Sequence, residues 1–411
     1  VKKYILGILL GAGILCAGCG GKDHKVQEVP ADEKAYGEEI TLMHPDADKA
    51  EFRQYIEAAE KELDMKIHLL ASPINADNRH ARISTILSSG DDSVDVIAVN
   101  DEMINEFKYQ GYLEPLGDDV MTEEICTCYP QDYMEKIAMA EGKVYSVPYM
   151  MDLMVFWVNE KFLDKAGIAA VTSRGDFEKL LDGRYGYGNY GYGSAWETTY
   201  VYNELSQFIN MFGGTYGDWK DENTRQALVF LHDMAEADKT PREQLVDQYE
   251  QMEQKFIQGK YGAIFMYSGA MDTFLRAGVY GNDKIHAAPM PLFKKNATNV
   301  ATWQYVLNKA SVHKEAAKKF LSYAAGYEGS AAYAEHMKKL PARLDIILEG
   351  NLDIPDLDIL KKYAEELELK SRPLSKTPMK DIKAIGELFQ KYITDEISLD
   401  EFCQRVENVL P

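Results

Sequence analysis

Tyr149 and Asp152 sit in a Pro-Tyr-Met-Met-Asp joint between two short apolar runs, Val144–Val147 and Leu153–Val158. Pro148 has no N–H to give a ladder, so the first run is expected to stop there, and the second is too short for a helix. A phenol and a carboxylate at a joint between two strands would face a cleft and exchange hydrogen bonds with a polar ligand. A second group stands where strands end. Ile40–Met43, Lys66–Ala71 and Val94–Val99 read as strands, with helices predicted over Asp48–Leu63 and Arg79–Ser88. This βαβ rhythm predicts a parallel sheet whose ligand edge lies at the carboxyl ends of its strands, where His44, Asp46, Asn100 and Asp101 stand. Two structural uses compete: Asn100 or Asp101 can cap the helix predicted over Glu102–Gln110, and His44 can be a solvated turn residue.

Other chemistries lack their residues. Arg184–Gly193 alternates Gly with Tyr, but no Gly-Lys-Ser/Thr follows, so it reads as a mobile loop carrying flat rings and not as a phosphate cradle. No HExxH or GxSxG occurs, and no carboxylate pair has a spacing that marks a glycosidase, which leaves a secreted carbohydrate-active enzyme as the weaker alternative. The predicted tail helices over Ile354–Leu367, Met379–Thr394 and Leu399–Leu410 add no motif. Sixty-six acidic against 45 basic residues give a net charge of −21, which argues against a nucleic-acid partner. Cys126 and Cys128 are one residue apart, poor geometry for a disulfide, and with Cys403 they are expected to be free or buried thiols; no metal-ligand spacing and no cofactor motif is present.

The stretch Gly142–Ile168, with its Gly-Lys-x-Tyr-x-x-Pro start, aromatic strand ending in Asn159 and short helix ending Ala166-Gly167, resembles the first interlobe crossing of bacterial extracellular solute-binding proteins of the type 1 family. These are the substrate receptors of ABC importers, most often for carbohydrates. Asp95–Leu116, Lys255–Gly269, Lys309–Leu321 and Leu340-Pro-Ala-Arg343 continue the resemblance, which spans about Ile40 to Arg343. It implies an α/β, two-lobe periplasmic-binding-protein-like (type II) fold, each lobe a β-sheet flanked by helices, with the ligand in the cleft between. It implies a first lobe of 40–148 plus 269–325 and a second of 149–268 plus 326–411, with a third crossing near Gly326. It also implies a stacking ring at Trp196, where a long helix reaching Phe212 is expected to begin. Ala270 and Met271 stand where the family often has a Trp, so Tyr267 is the substitute; Ala301 and Thr302 replace a Gly-Gly, which leaves Trp303 a lesser candidate. Arg343 either touches ligand or fixes the lobe.

Val-Lys-Lys followed by an apolar Tyr4–Leu15 describes an export signal, too short to span a bilayer. Cys16-Ala-Gly-Cys19 resembles a lipobox in which Cys19 is lipidated and becomes the mature N-terminus, which makes residues 1–19 a lipoprotein signal peptide with its lipobox and 20–39 a flexible tether. The expected protein is a monomeric lipoprotein on the extracellular or periplasmic face of the cell membrane. It takes a small polar solute, a sugar or oligosaccharide, to the permease subunits of an ABC transporter. A sensor or adhesin of the same fold is the alternative within the class.

Overall fold

Two long strands carry the architecture. The computed structural model describes residues 37–73, 75–117, 119–372 and 374–409, so the signal, Cys19 and most of the tether lie outside the described residues. In chain order the strands of the main sheet are β1 (Glu39–His44), β2 (Lys66–Ala71), β3 (Val96–Asn100), β4 (Val147–Asn159), β5 (Ala263–Tyr267), β6 (Ile285–Ala288), β7 (Ala297–Leu307) and β8 (Glu368–Lys370). They are ordered β2-β1-β3-β7-β4-β5, with β8 on β7 and β6 on β4. β1 pairs parallel with β2 and β3, as the βαβ pattern predicts. β4 and β7 are antiparallel partners that pass through both lobes. Val147–Leu153 pairs with Tyr305–Val300, whereas Met154–Val158 pairs with β5 and Phe156–Asn159 with β6.

The sequence expectations hold in outline and fail at particular joints. Pro148 does not end a strand; β4 continues through it because the missing N–H falls at a register irregularity between Pro148 and Met150. β6, expected among the return strands of the first lobe, pairs with the second-lobe half of β4. The chain does not cross at Gly326 either. Helix Tyr327–Met337, which follows Gly326, packs on the first-lobe helix α1 (Ala50–Leu63). The chain reaches the crossing strands only at Leu340–Arg343, where Pro341 bridges to Met150 and the Ala342 N–H donates to the Tyr149 carbonyl at 3.4 Å. Phe52, Tyr55, Ile56 and Ala59 of α1 face the core as their spacing predicts.

Two further helices position the cleft: α2 (Asp101–Tyr109) follows β3 directly, and α3 (Val201–Met211) is buried over its whole length. The polar residues of α3 are tied to β7: Asn299 donates to the Asn203 carbonyl and to Ser206 Oγ, both at 2.8 Å, and Gln207 donates to the Ala297 carbonyl at 3.0 Å. The helix starts at Val201 and not at Trp196. Glu197 takes hydrogen bonds from the Thr198 hydroxyl at 2.8 Å and the Thr199 N–H at 2.9 Å, a local turn that competes with helix. The Gly-Tyr segment is packed, not a loop presenting rings. Tyr185 and Tyr192 are buried and only Tyr187 is fully exposed, while a Cβ at Gly191 would meet the Leu180 carbonyl oxygen at 1.9 Å. No helix among the described residues is long and apolar enough to cross a membrane. Cys126, Cys128 and Cys403 are free.

Candidate functional site

The seam between the lobes holds two clusters, one buried and one open. The buried cluster starts from β3. Asn100 is the residue before α2, but its side chain does not cap; it donates to Glu102 Oε2 at 2.7 Å. Both oxygens of Asp101 accept from a single guanidinium nitrogen, Arg372 Nη2, at 2.9 and 2.7 Å. Arg372 also touches Glu102 at 3.5 Å and hydrogen-bonds Tyr202 and Asn203 at the start of α3. Its guanidinium lies 4.8 Å above the Tyr202 ring and 5.8 Å from that of Tyr267. The Tyr267 hydroxyl donates to Asn203 Oδ1 at 2.9 Å and the Tyr202 hydroxyl to Glu102. Burial opposes the charge on Arg372, but Asp101, Tyr267 and Glu102 outweigh it and hold the guanidinium protonated more firmly than usual. Burial pushes the Glu102 carboxyl above its ordinary range in spite of Arg372.

The open cluster forms around Asp152. Its Oδ1 accepts from Ser268 Oγ at 3.0 Å and from the Gly269 N–H at 2.9 Å, which ties the two crossings together. A Cβ at Gly269 would stand 3.3 Å from that same oxygen and crowd the carboxylate. Oδ2 receives no hydrogen bond from the described residues. Burial raises the Asp152 pKa, against the pull of Lys339 and the two donors. A cavity of about 380 Å³ opens here, lined by Asp152, Ser268, Gly269, Met271, Asp272 and Arg276 from the second-crossing side. Lys49, Glu51 and the segment from His336 to Leu340 line the facing wall, with Asp353, Ile354 and Leu360 completing it. The cationic groups are matched by carboxylates: Lys49 to Asp46 at 2.8 Å, Lys338 to Asp353 at 2.7 Å and Arg276 to Asp272 at 2.8 Å. Such a lining offers many donors and acceptors with little net charge, chemistry that suits a polyhydroxylated neutral ligand.

Of the residues singled out in the sequence, Asn100, Asp101 and Tyr267 meet in the buried cluster. Trp303 pairs with Asn100 across the sheet and carries the Arg79 guanidinium 4.9 Å from its ring. Asp152 lines the cavity, and Asp46 borders it through its ion pairs to Lys49 and Lys339, the latter at 3.3 Å. Burial would raise the Asp46 carboxyl, but Lys339, His44 and Lys49 hold it below its ordinary value. His44 is not a solvated turn residue. It is fully buried, stacked 3.8 Å from Phe52, and its Nδ1 accepts the Asp46 N–H at 3.0 Å, so burial drives its pKa down to about 3. Tyr149 is buried too, stacked 4.1 Å from Tyr305. Trp196 and Arg343 stand apart. The Trp196 ring has no exposed surface and meets Phe389 edge-on at 5.3 Å, so it packs the second lobe. Arg343 is spent on Asp345, at 3.1 and 2.6 Å, and on the Ala325 carbonyl at 2.9 Å, which fixes the chain beside the crossing. Glu102, Arg372, Lys339 and Met271 were not named from the sequence as ligand or seam residues. Glu102 adjoins Asn100-Asp101 and could have been found with them; a lone Arg372 in a polar stretch carries no signal.

The sequence profile of bacterial extracellular solute-binding proteins matches residues 46–331. Solved structures with the same fold include maltose-bound MalE3 of T. maritima, with TM-score 0.71 and 19% identity over 90% of this chain and 98% of that one. An ABC substrate-binding protein of Listeria monocytogenes in complex with cycloalternan gives 0.74 and 19% over 90% and 97%. UgpB of Mycobacterium tuberculosis in complex with glycerophosphocholine gives 0.74 and 17% over 92% and 98%. No curated protein matches the sequence significantly.

Proposed function

The chain belongs to the bacterial extracellular solute-binding protein family, and from that premise we propose that it captures a sugar or short oligosaccharide in the Asp152 cavity and delivers it to an ABC permease. One observation carries the reading. Asp152 is fixed through one oxygen by Ser268 and Gly269 while its other oxygen is open to a cavity whose lysines and arginine are already paired with carboxylates. A carboxylate oriented in this way accepts a ligand hydroxyl without first having to be ordered, which lowers the cost of binding. Met271, Leu275 and Leu340 supply the apolar surface, suited to the C–H faces of a sugar, in place of the aromatic stack expected at Trp196. Asp272 and Arg276 lie on one side of the cavity and Lys49 and Lys339 on the other, so a solute touching both would favour the closed form, the differential affinity that lobe closure requires. The cargo classes seen with the structural neighbours, maltose, cycloalternan and glycerophosphocholine, set the first library. The Cys19 lipid anchor, monomeric state and placement at the membrane complete this reading and rest on the N-terminal sequence.

A thermal-shift screen of the chain against mono- and oligosaccharides, polyols and glycerophosphodiesters tests it. A solute at a hundred times its dissociation constant stabilises by about 2.7 kcal/mol. A shift with a sugar class that disappears in Asp152→Asn supports the reading. A shift only with a glycerophosphodiester replaces the sugar, and a sugar shift unchanged in Asp152→Asn moves the site elsewhere.

A further inference from the structure

Arg372 has the setting of a bound ligand. Its side chain and that of Asp101 are each 2% exposed, and it bonds to both Asp101 oxygens with its guanidinium over the rings of Tyr202 and Tyr267. Paired carboxylate oxygens and aromatic faces are the means by which proteins recognise a guanidinium or alkylammonium cation. The walls come from different parts of the molecule. Asp101 and Glu102 start a helix that follows β3 in the first lobe; Tyr202 and Asn203 start the buried helix of the second, and Tyr267 ends β5. The segment that delivers Arg372 is stitched to the first lobe on either side. The Ser371 N–H donates to Asp132 at 3.0 Å and Asn105 donates to the Leu374 carbonyl at 2.7 Å. The helix that follows, Pro378–Ile393, packs on both α2 and α3.

We propose that Arg372 is an internal cation filling an interlobe cation cage, and that it clasps the lobes by neutralising Asp101 and Glu102, at a site that a free guanidinium can occupy in its place. The inference rests on the two-lobe fold and needs no knowledge of the cargo. Without the guanidinium, the buried Asp101 carboxylate loses its ion-pair partner, and Glu102 beside it keeps only the pull of Arg79. The seam then either opens or admits a free cation of the same shape.

The test uses the chain without added solute. In Arg372→Ala, small-angle X-ray scattering is expected to give a larger radius of gyration, and the Tm to fall by more than about 5 °C. Methylguanidinium at about 10 mM restores both by mass action, methylurea of the same shape but no charge does not, and wild type responds to neither. An unchanged radius of gyration in the variant, or equal rescue by methylurea, overturns the proposal. Should Arg372→Ala not fold, Asp101→Asn removes the cage's anion instead and is expected to expand in the same way; an Asp101→Asn chain as compact as wild type overturns the proposal equally. These readouts leave the solute assignment untouched, since none depends on a solute.

Discussion

The buried Arg372 cluster and the open Asp152 cavity are built from the same chemistry, carboxylates set against cations at the same interlobe seam, and they differ in access to water. In the first, Asp101, Glu102 and Arg372 satisfy one another inside the protein, where an ion pair is costly to desolvate and costlier to break. In the second, Lys49, Lys338 and Arg276 pair with carboxylates at positions open to solvent on at least one side, where water screens each pair. The contrast teaches that residue type does not separate structure from recognition at this seam. A carboxylate with both oxygens engaged by Arg372 is architecture; Asp152 has one oxygen engaged and lines a cavity, the arrangement on which the proposed ligand role rests.

The strongest way to break this contrast is Arg372→Met, which keeps the length of the side chain and removes its charge. Leaving the buried Asp101 without its ion-pair partner should lower unfolding free energy by about 3–5 kcal/mol, read as a fall in the denaturant midpoint. A loss below ~1 kcal/mol would put the buried cluster in the same class as the surface pairs. On the other side, Asp152→Asn keeps the donors' partner oxygen but lowers its strength as an acceptor. Solute affinity should fall by about 1.5–3 kcal/mol, ten- to a hundredfold by titration calorimetry, with a much smaller change in stability. If stability falls and affinity does not, Asp152 belongs with Asp101 as architecture.

pH sharpens the comparison further. His44 is buried neutral, with its pKa lowered from 6.5 to about 3 by desolvation. The unfolded chain therefore takes up the proton first, and the stability present above pH ~6.5 is lost as pH falls toward about 3, by up to ~1.4 kcal/mol for each pH unit. Glu204, in the second lobe, runs the other way. Burial raises its pKa to about 7, so its neutral form stabilises most below the unfolded value near 4.5 and that contribution is lost as pH rises to 7. The stability profile of His44→Gln should lose the acid-side slope between pH 6.5 and 5, and that of Glu204→Gln should lose the opposing one. Matching profiles in wild type and His44→Gln would show that His44 titrates as if exposed. The smallest effect is expected at Lys339→Ala. Its 3.3 Å pair with Asp46 is partly exposed, and its loss should cost less than ~1 kcal/mol by thermal melting while weakening solute binding.

Much of the seam was legible as position and little of it as role. The strand-end rule found Asn100 and Asp101, and the joint after Pro148 found Asp152, because those rules depend only on local pattern. The same local reading left a helix cap as the alternative for Asn100 or Asp101 and a solvated turn as the alternative for His44, while the family resemblance placed Trp196 in the cleft. Each of these depended on partners far along the chain: Arg372 for Asp101, Tyr149 and Tyr305 for the His44 pocket, Phe389 for Trp196. Pro148 misled for a related reason. Whether a proline ends a strand depends on whether its missing N–H faces a partner or an irregularity, and only the pairing with β7 decides that.

By itself the sequence determined the α/β order, the apolar faces of the helices, the aromatic strand of the first crossing and the polar residues set at strand ends, since each is written within a few residues by side-chain period and turn chemistry. The tertiary structure alone decided which carboxylate is closed and which is open. The contact that closes Asp101 comes from a residue 271 positions later. A contact of that range leaves no period in the chain, and its consequence arises only when the lobes meet and exclude water around one carboxylate and not the other.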